Sequence, residues 1–233
     1  KLLADKMQHK IIKKSDAQGI DININCQLSR PVAELCKDEK LDIFLCLRDA
    51  SGKELYRRSI GVGTTLTHEY KTELVHFVPF SKLDLSAGQQ TIKASLLLND
   101  QSAASAAEIA INMPACPTAT ISHEGVDVRP DRGYDPIVAN SGDGKPDVYT
   151  SLFYAGEYHS NSINNNSYSG ATFSHTFRFC QGDAATLYVY DSDLNRDDVI
   201  GSYHLPHSST EGFFKPALSF EKVNKMDLRL EFK

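Results

Sequence analysis

From Gly19 onward the chain alternates. Ile20, Ile22, Ile24 and Cys26 are separated by Asp21, Asn23 and Asn25, the period of two that buries one face of a strand and wets the other. Residues 41–47 form a nearly continuous apolar run. Asp49-Ala50-Ser51-Gly52-Lys53 follows and predicts a hairpin turn. Further strands are predicted at 54–60, 74–79, 91–98 and 108–112, with a Gly/Thr-rich loop at 61–67 and Gly88-Gln89-Gln90 before the strand at 91. Short strands at regular intervals with turn chemistry between them indicate an antiparallel β-sandwich.

The pattern then repeats in kind. Strands are expected at 119–128 and 148–154, and the polar stretch 157–169 reads as a strand running into a loop. Phe173, His175, Phe177 and Phe179 alternate with Ser174, Thr176 and Arg178, and 187–190, 201–205 and 227–232 supply the remaining strands. Between the halves, 113–117 reads MPACP. Two prolines in four positions disfavour both helix and central strand, so a stiff connector belongs there. The fold class is therefore all-β: two tandem antiparallel β-sandwiches, a first domain at 1–113 without an evident site and a second at 118–233. One stretch departs from this pattern. Leu2, Leu3, Met7, Ile11 and Ile12 lie among lysines at helical spacing, which predicts a short terminal helix or a loose tail packed on the first domain.

Bulk properties narrow the function classes. The 233 residues suit one large or two ordinary domains. The 41% hydrophobic and 24% charged content is that of a soluble globular protein. No apolar run reaches transmembrane length. The chain begins on Lys1 rather than Met, so the expectation is that a signal segment or a larger parent once preceded it. A net charge of −5 argues against nucleic acid as partner. The charge is uneven: from Thr118 onward there are 10 Lys+Arg against 16 Asp+Glu, or −6, and the remainder carries 15 against 14, or +1. Five cysteines (Cys26, Cys36, Cys46, Cys116, Cys180) show no C-x-x-C spacing, and the odd number leaves at least one unpaired within the chain. Cys46, in an apolar strand, reads as a small core residue. Cys26, Cys36 and Cys116 are candidates for bridges if the chain is exported, and a secreted or cell-surface location is slightly favoured.

The acidity concentrates in LYVYDSDLNRDDVIG, residues 187–201. Its apolar strand runs into Asp191, Asp193, Asp197 and Asp198, four carboxylates in eight residues, before Val199-Ile200-Gly201 restarts the apolar pattern. Unit charges about 4 Å apart repel by roughly 1 kcal/mol in water and several times that near a protein surface. A hard divalent cation relieves this, and Ca²⁺ takes six to eight oxygens.

This run resembles the third calcium-binding loop of C2 domains, and Gly142-Asp143-Gly144-Lys145-Pro146-Asp147-Val148-Tyr149 resembles the first. The resemblance covers the C-terminal half from about Thr118. Its D-x-D…D-D-x-(I/L)-G pattern is similar to C2 domains of perforin-like, extracellular pore-forming proteins. It implies Asp147, Asp191, Asp193 and Asp198 as carboxylate ligands of Ca²⁺, with Asp143 as a fifth, and Asp197 facing solvent. Two departures stand out. Ser141 occupies the position of the family's earlier loop-one aspartate, and the family's lysine-bearing strand is matched by a stretch whose only candidate cation is His159. The first half, around 77–96, is similar to sandwich domains of bacterial proteins of unassigned role, which implies a fold only.

Signatures of catalysis are missing: there is no G-x-S-x-G, no H-E-x-x-H and no Gly-rich phosphate loop. His204 and His207 flank Leu205-Pro206 with no third ligand near. Carboxylates gathered at one loop tip form a metal cage rather than two groups flanking a glycosidic bond. The expectation is a non-catalytic calcium-binding module. Through 142–147 and 191–198 it would associate with a phospholipid membrane in a calcium-dependent way. The alternative is a structural or protein-interaction tandem sandwich of a secreted or surface protein, in which calcium only stiffens loops.

Overall fold

The computed structural model describes residues 2–14, 16–28, 40–65, 71–98, 101–102, 107–130, 145–161, 168–169, 172–192, 197–206 and 211–233. The chain divides into two compact units, Lys1–Lys14 with Gln18–Ala115 and Ser15–Ala17 with Cys116–Lys233. Both are built of antiparallel sheets. Among the described residues the only helix is a single 3-10 turn, Phe80–Lys82.

The first unit holds β1 (Leu2–Lys14), β2 (Ala17–Leu28), β3 (Lys40–Arg48), β4 (Glu54–Thr65), β5 (Lys71–Pro79), β6 (Gly88–Leu98), β7 (Gln101–Ser102) and β8 (Ala107–Met113). One sheet runs β1-β2-β5; the other runs β4-β3-β6-β7, with β8 also on β6. The alternation at 20–24 does what its period requires, since Ile20, Ile22 and Ile24 are fully buried. Burying each side chain is worth about 1.5–3 kcal/mol. The turn at 49–53 closes β3 onto β4: Asp49 N–H donates to Lys53 O at 3.0 Å, and Asp49 Oδ1 accepts from Lys53 N–H at 2.9 Å.

The N-terminal helix is a correction: residues 2–14 are strand β1, paired with β2. A helix of this length is marginal in water unless it packs, whereas pairing satisfies every second backbone group at once. Lys14 Nζ anchors the end of β1 to Asp21 Oδ1 of β2 at 2.6 Å.

The second unit holds β9 (Thr118–Val128), β10 (Val148–Tyr154), β11 (Glu157–Ser160), β12 (Phe173–Arg178), β13 (Ala184–Asp191), β14 (Asp198–Pro206), β15 (Phe213–Phe220) and β16 (Val223–Phe232). They form two four-stranded sheets, β11-β10-β13-β14 and β12-β9-β16-β15. Inward residues of both sheets make one core, including Ile121, Val126, Leu152, Phe179, Leu187, Val189, Met226 and Leu228. The inward parity of β9 shifts at Gly125, which takes φ +67°. Ala119, Ile121 and His123 face in before it, Val126 and Val128 after, opposite a register break between Met226 and Asp227. This is the behaviour of a β-bulge with glycine in the left-handed region.

A strand not predicted from the sequence is β15. It is outermost in its sheet, mostly exposed, and carries Pro216. Its pairing with β16 breaks on either side of Leu218, Ala217 adopts φ +52°, and Ala217 N–H donates to Asp227 Oδ1 at 2.7 Å.

At one end of this sandwich Cys116 is bridged to Cys180. Cys46 is buried and unbridged in the first unit; Cys36 and the side chain of Cys26 lie outside the described residues. Near the bridge, Tyr154 hydroxyl donates to Asp183 Oδ2 at 2.7 Å and accepts from Cys180 N–H at 3.3 Å, which supports a carboxylate that is only 2% exposed.

Candidate metal centre

At the opposite end of the sandwich from the bridge, β9 ends and β10 begins, and β13 ends and β14 begins. β10 and β13 are neighbours, with Val148 paired to Asp191, Tyr149 to Tyr190 and Thr150 to Val189. This register brings the two acidic segments together. Asp147 N–H donates to Asp191 Oδ1 at 2.8 Å, and Ser192 N–H donates back to Asp147 O at 3.0 Å. The first and third loops are thus joined at their bases.

Asp191 continues the inward parity of Leu187 and Val189 and is 1% exposed. A carboxylate at such depth is costly unless it is hydrogen-bonded or paired with positive charge, and the Asp147 amide supplies one bond. Asp198, which is exposed, is its direct cross-strand partner on β14, a placement in which like charges repel. Asp147 is half-buried.

The five predicted ligands therefore divide. Asp147, Asp191 and Asp198 lie at one end of adjoining strands; Asp143 and Asp193 lie outside the described residues. Among the described residues no three His, Cys, Asp or Glu side chains gather closely enough to hold a metal ion. The donor chemistry of the assembled part is oxygen only, which suits a hard cation such as Ca²⁺ and disfavours soft metals that seek sulfur or imidazole.

Asp197 is exposed and accepts a hydrogen bond from the Tyr149 hydroxyl, 2.6 Å to Oδ2. Tyr149 stacks on Tyr190, ring centroids 5.0 Å apart and planes 15° apart. Burial, then the bond to Asp197, hold the Tyr149 phenol above its ordinary range. Sequence reasoning passed over Tyr149. The available signal was its parity: two residues beyond Asp147, it falls on the outer face beside the strand that carries the acids.

The outer face of this sheet continues the aromatic row. Tyr190 approaches Tyr188 at 5.6 Å, Tyr188 approaches Tyr158 at 6.3 Å, and Tyr158 approaches Phe153 at 4.7 Å. β11, the strand expected to hold the family's lysines, reads Glu-Tyr-His-Ser. His159 stacks on His175 with centroids 4.0 Å apart.

No family profile matches the chain, and no curated protein matches it. Solved structures do. A structure described as a C2 domain aligns at TM-score 0.39 and 19% identity over 50% of this chain and 98% of its own. A C2 domain of plant Extended Synaptotagmin 1 aligns at TM-score 0.37 and 13% identity, over 52% of this chain and 95% of its own. Two consecutive C2 domains of Extended-Synaptotagmin 2, in a calcium-bound structure, align at TM-score 0.38 and 8% identity, over 83% of this chain and 86% of theirs. Each of these three structures is described as one or two C2 domains.

Proposed function

We propose that the second unit is a non-catalytic calcium-binding module that associates with phospholipid membranes in the presence of Ca²⁺. The observation that carries this reading is the paired hydrogen bonding of Asp147 and Asp191, which unites two acidic segments 44 residues apart in sequence. Asp147, Asp191 and Asp198 would hold the ion together with Asp143 and Asp193. When bound, Ca²⁺ supplies positive charge at an acidic tip and open coordination positions for lipid phosphate oxygens. The chain's own residues do the rest. Asp191 is fixed by the Asp147 amide, so one carboxylate is oriented before any ion arrives. A cation between Asp191 and Asp198 would relieve their repulsion, which ties tip charge to metal occupancy.

Calorimetric titration of the whole chain with calcium chloride tests the ligand set. Wild type is expected to bind in the micromolar-to-millimolar range usual for sensor and extracellular oxygen sites. Asp147→Asn is expected to weaken binding by about tenfold or more, since each tenfold is worth about 1.4 kcal/mol and a lost carboxylate removes at least that much. Equal binding by the variant would move the site elsewhere. Sedimentation with phosphatidylserine-containing vesicles tests the membrane. The absence of lysine and arginine from β11 favours a second reading, in which the ion only stiffens the loops. Calcium-dependent melting without calcium-dependent pelleting would select it.

A further inference from the structure

The outer face of the sheet β11-β10-β13-β14 is a continuous row of aromatic rings. Tyr149 and Phe153 of β10 alternate with the buried Val148, Leu152 and Tyr154, and their cross-strand partners are Tyr190 of β13 and Tyr158 of β11. With Tyr188 the row is complete, each ring within 4.7–6.3 Å of the next between centroids. Tyr158 is 60% exposed. Contiguous exposed surface of this kind marks an interaction site, and a tyrosine ring suits a boundary where one side is apolar and the other wet.

The charge of the sheet says what such a site would take. Its four strands contain no lysine and no arginine. Their acids, Glu157, Asp191 and Asp198, sit at inward parity: Glu157 pairs with Tyr154, and Asp198 with Asp191. The outward strand positions therefore offer π faces and hydroxyls, with neither a cation to repel a positive ligand nor a carboxylate to form an ion pair with one. A lysine ammonium is strongly hydrated, and a face without carboxylates gives it little in exchange for that water. A quaternary ammonium is the cation that aromatic faces hold without such help, at up to about 6 Å from a ring centroid. Phe153 to Tyr158 and Tyr158 to Tyr188 are inclined by 46° and 45°, so these rings form no flat platform of the kind on which bases stack. Inclined faces suit a rounded group instead. The unit's charge adds a second selection. From Thr118 onward it is −6, which opposes an anionic lipid surface in the absence of metal, whereas a zwitterionic surface carries no net charge.

We propose that this face docks on phosphatidylcholine, with Phe153, Tyr158 and Tyr188 receiving the trimethylammonium end of the choline headgroup. The contact needs no Ca²⁺ and uses none of the loop acids, so it stands apart from the calcium reading.

The test is sedimentation of the whole chain with phosphatidylcholine vesicles in excess chelator, for wild type, Tyr158→Phe and Tyr158→Ala. Wild type should pellet with the vesicles. Tyr158→Phe keeps the ring and should bind within about twofold of wild type, whereas Tyr158→Ala should bind roughly fivefold more weakly, the loss of one cation–π contact. Because Tyr158 is exposed, the melting midpoint of either variant should stay within about 2 °C of wild type. Excess soluble phosphocholine should release the chain, and phosphoethanolamine, which differs only by three N-methyl groups, should not. Equal release by the two overturns the proposal, since the methylated cation would then not be what is recognised. Equal binding by wild type and Tyr158→Ala, or no pelleting of wild type, also overturns it. Each of these results is obtained without Ca²⁺ and leaves the calcium reading to its own titration.

Discussion

Acidification should destabilise the second unit through one imidazole. His123 occupies an inward position on β9, is 2% exposed, and lies against Phe173 with ring centroids 5.7 Å apart. Its Nε2 is 3.0 Å from Thr150 Oγ1, and its buried Nδ1 has no hydrogen-bond partner among the described residues. Burial lowers its pKa from 6.5 to about 4. The unfolded chain therefore takes up a proton near pH 6.5, whereas the folded chain takes it up only near pH 4. Between those values the unfolded state binds more protons, so stability falls as pH falls through this window and the loss is complete below about 4. At 1.36 kcal/mol per pKa unit, the fall from 6.5 to about 4 is worth about 3 kcal/mol, a large share of a typical domain's 5–15 kcal/mol. The assay is urea denaturation of wild type and His123→Gln in chelator at pH 7, 6, 5 and 4.5, followed by a probe of the second unit. Both proteins carry the same carboxylates and the same other histidines, so the difference between their pH profiles isolates His123. Wild type should lose about 2 kcal/mol relative to the variant between pH 7 and pH 4.5, the rest of the loss lying below that. Parallel profiles, or an NMR titration placing the His123 imidazole near 6.5, would refute the argument.

Two further outcomes follow from the far end of the same sandwich. The Cys116–Cys180 bridge closes a loop with a sequence separation of 64, for which the chain-entropy relation gives about 4 kcal/mol; Cys180→Ser should lower the melting midpoint by several degrees, and an unchanged midpoint would mean the bridge does not form. Tyr154→Phe removes the hydroxyl that donates to Asp183 and accepts from Cys180 N–H. Because Asp183 is a buried carboxylate, the expected loss is about 1.5–3 kcal/mol by denaturation, and a loss under about 0.5 kcal/mol would show the hydroxyl to be dispensable.

How much of this was legible in sequence depended on whether a residue's parity matched its chemistry. Where they agree, as at Ile20, Ile22 and Ile24, period two was enough, and the order of strands through both halves followed. Residues 2–14 misled because their apolar side chains recur at helical spacing, and nothing local reveals that β2 offers a partner. β15 was illegible for the opposite reason: Pro216 and a mostly exposed face leave no alternation to read. The acids at 191–198 announced themselves by density, but not their unequal burial. Asp191 shares the inward parity of Leu187 and Val189, and His123 that of Ala119 and Ile121. In both cases a polar residue in an apolar row was the available clue. The Tyr149–Asp197 bond spans 48 residues and depends on strand register, which no local pattern encodes.

The irregularity of β15 matters beyond this one molecule. A regular outermost strand offers a row of donors and acceptors on which another polypeptide can template itself. Pro216 has no amide to give, the Ala217 amide already belongs to Asp227, and the interrupted pairing around Leu218 prevents a flat approach. Copies crowded together on a surface would meet an edge that declines to recruit them.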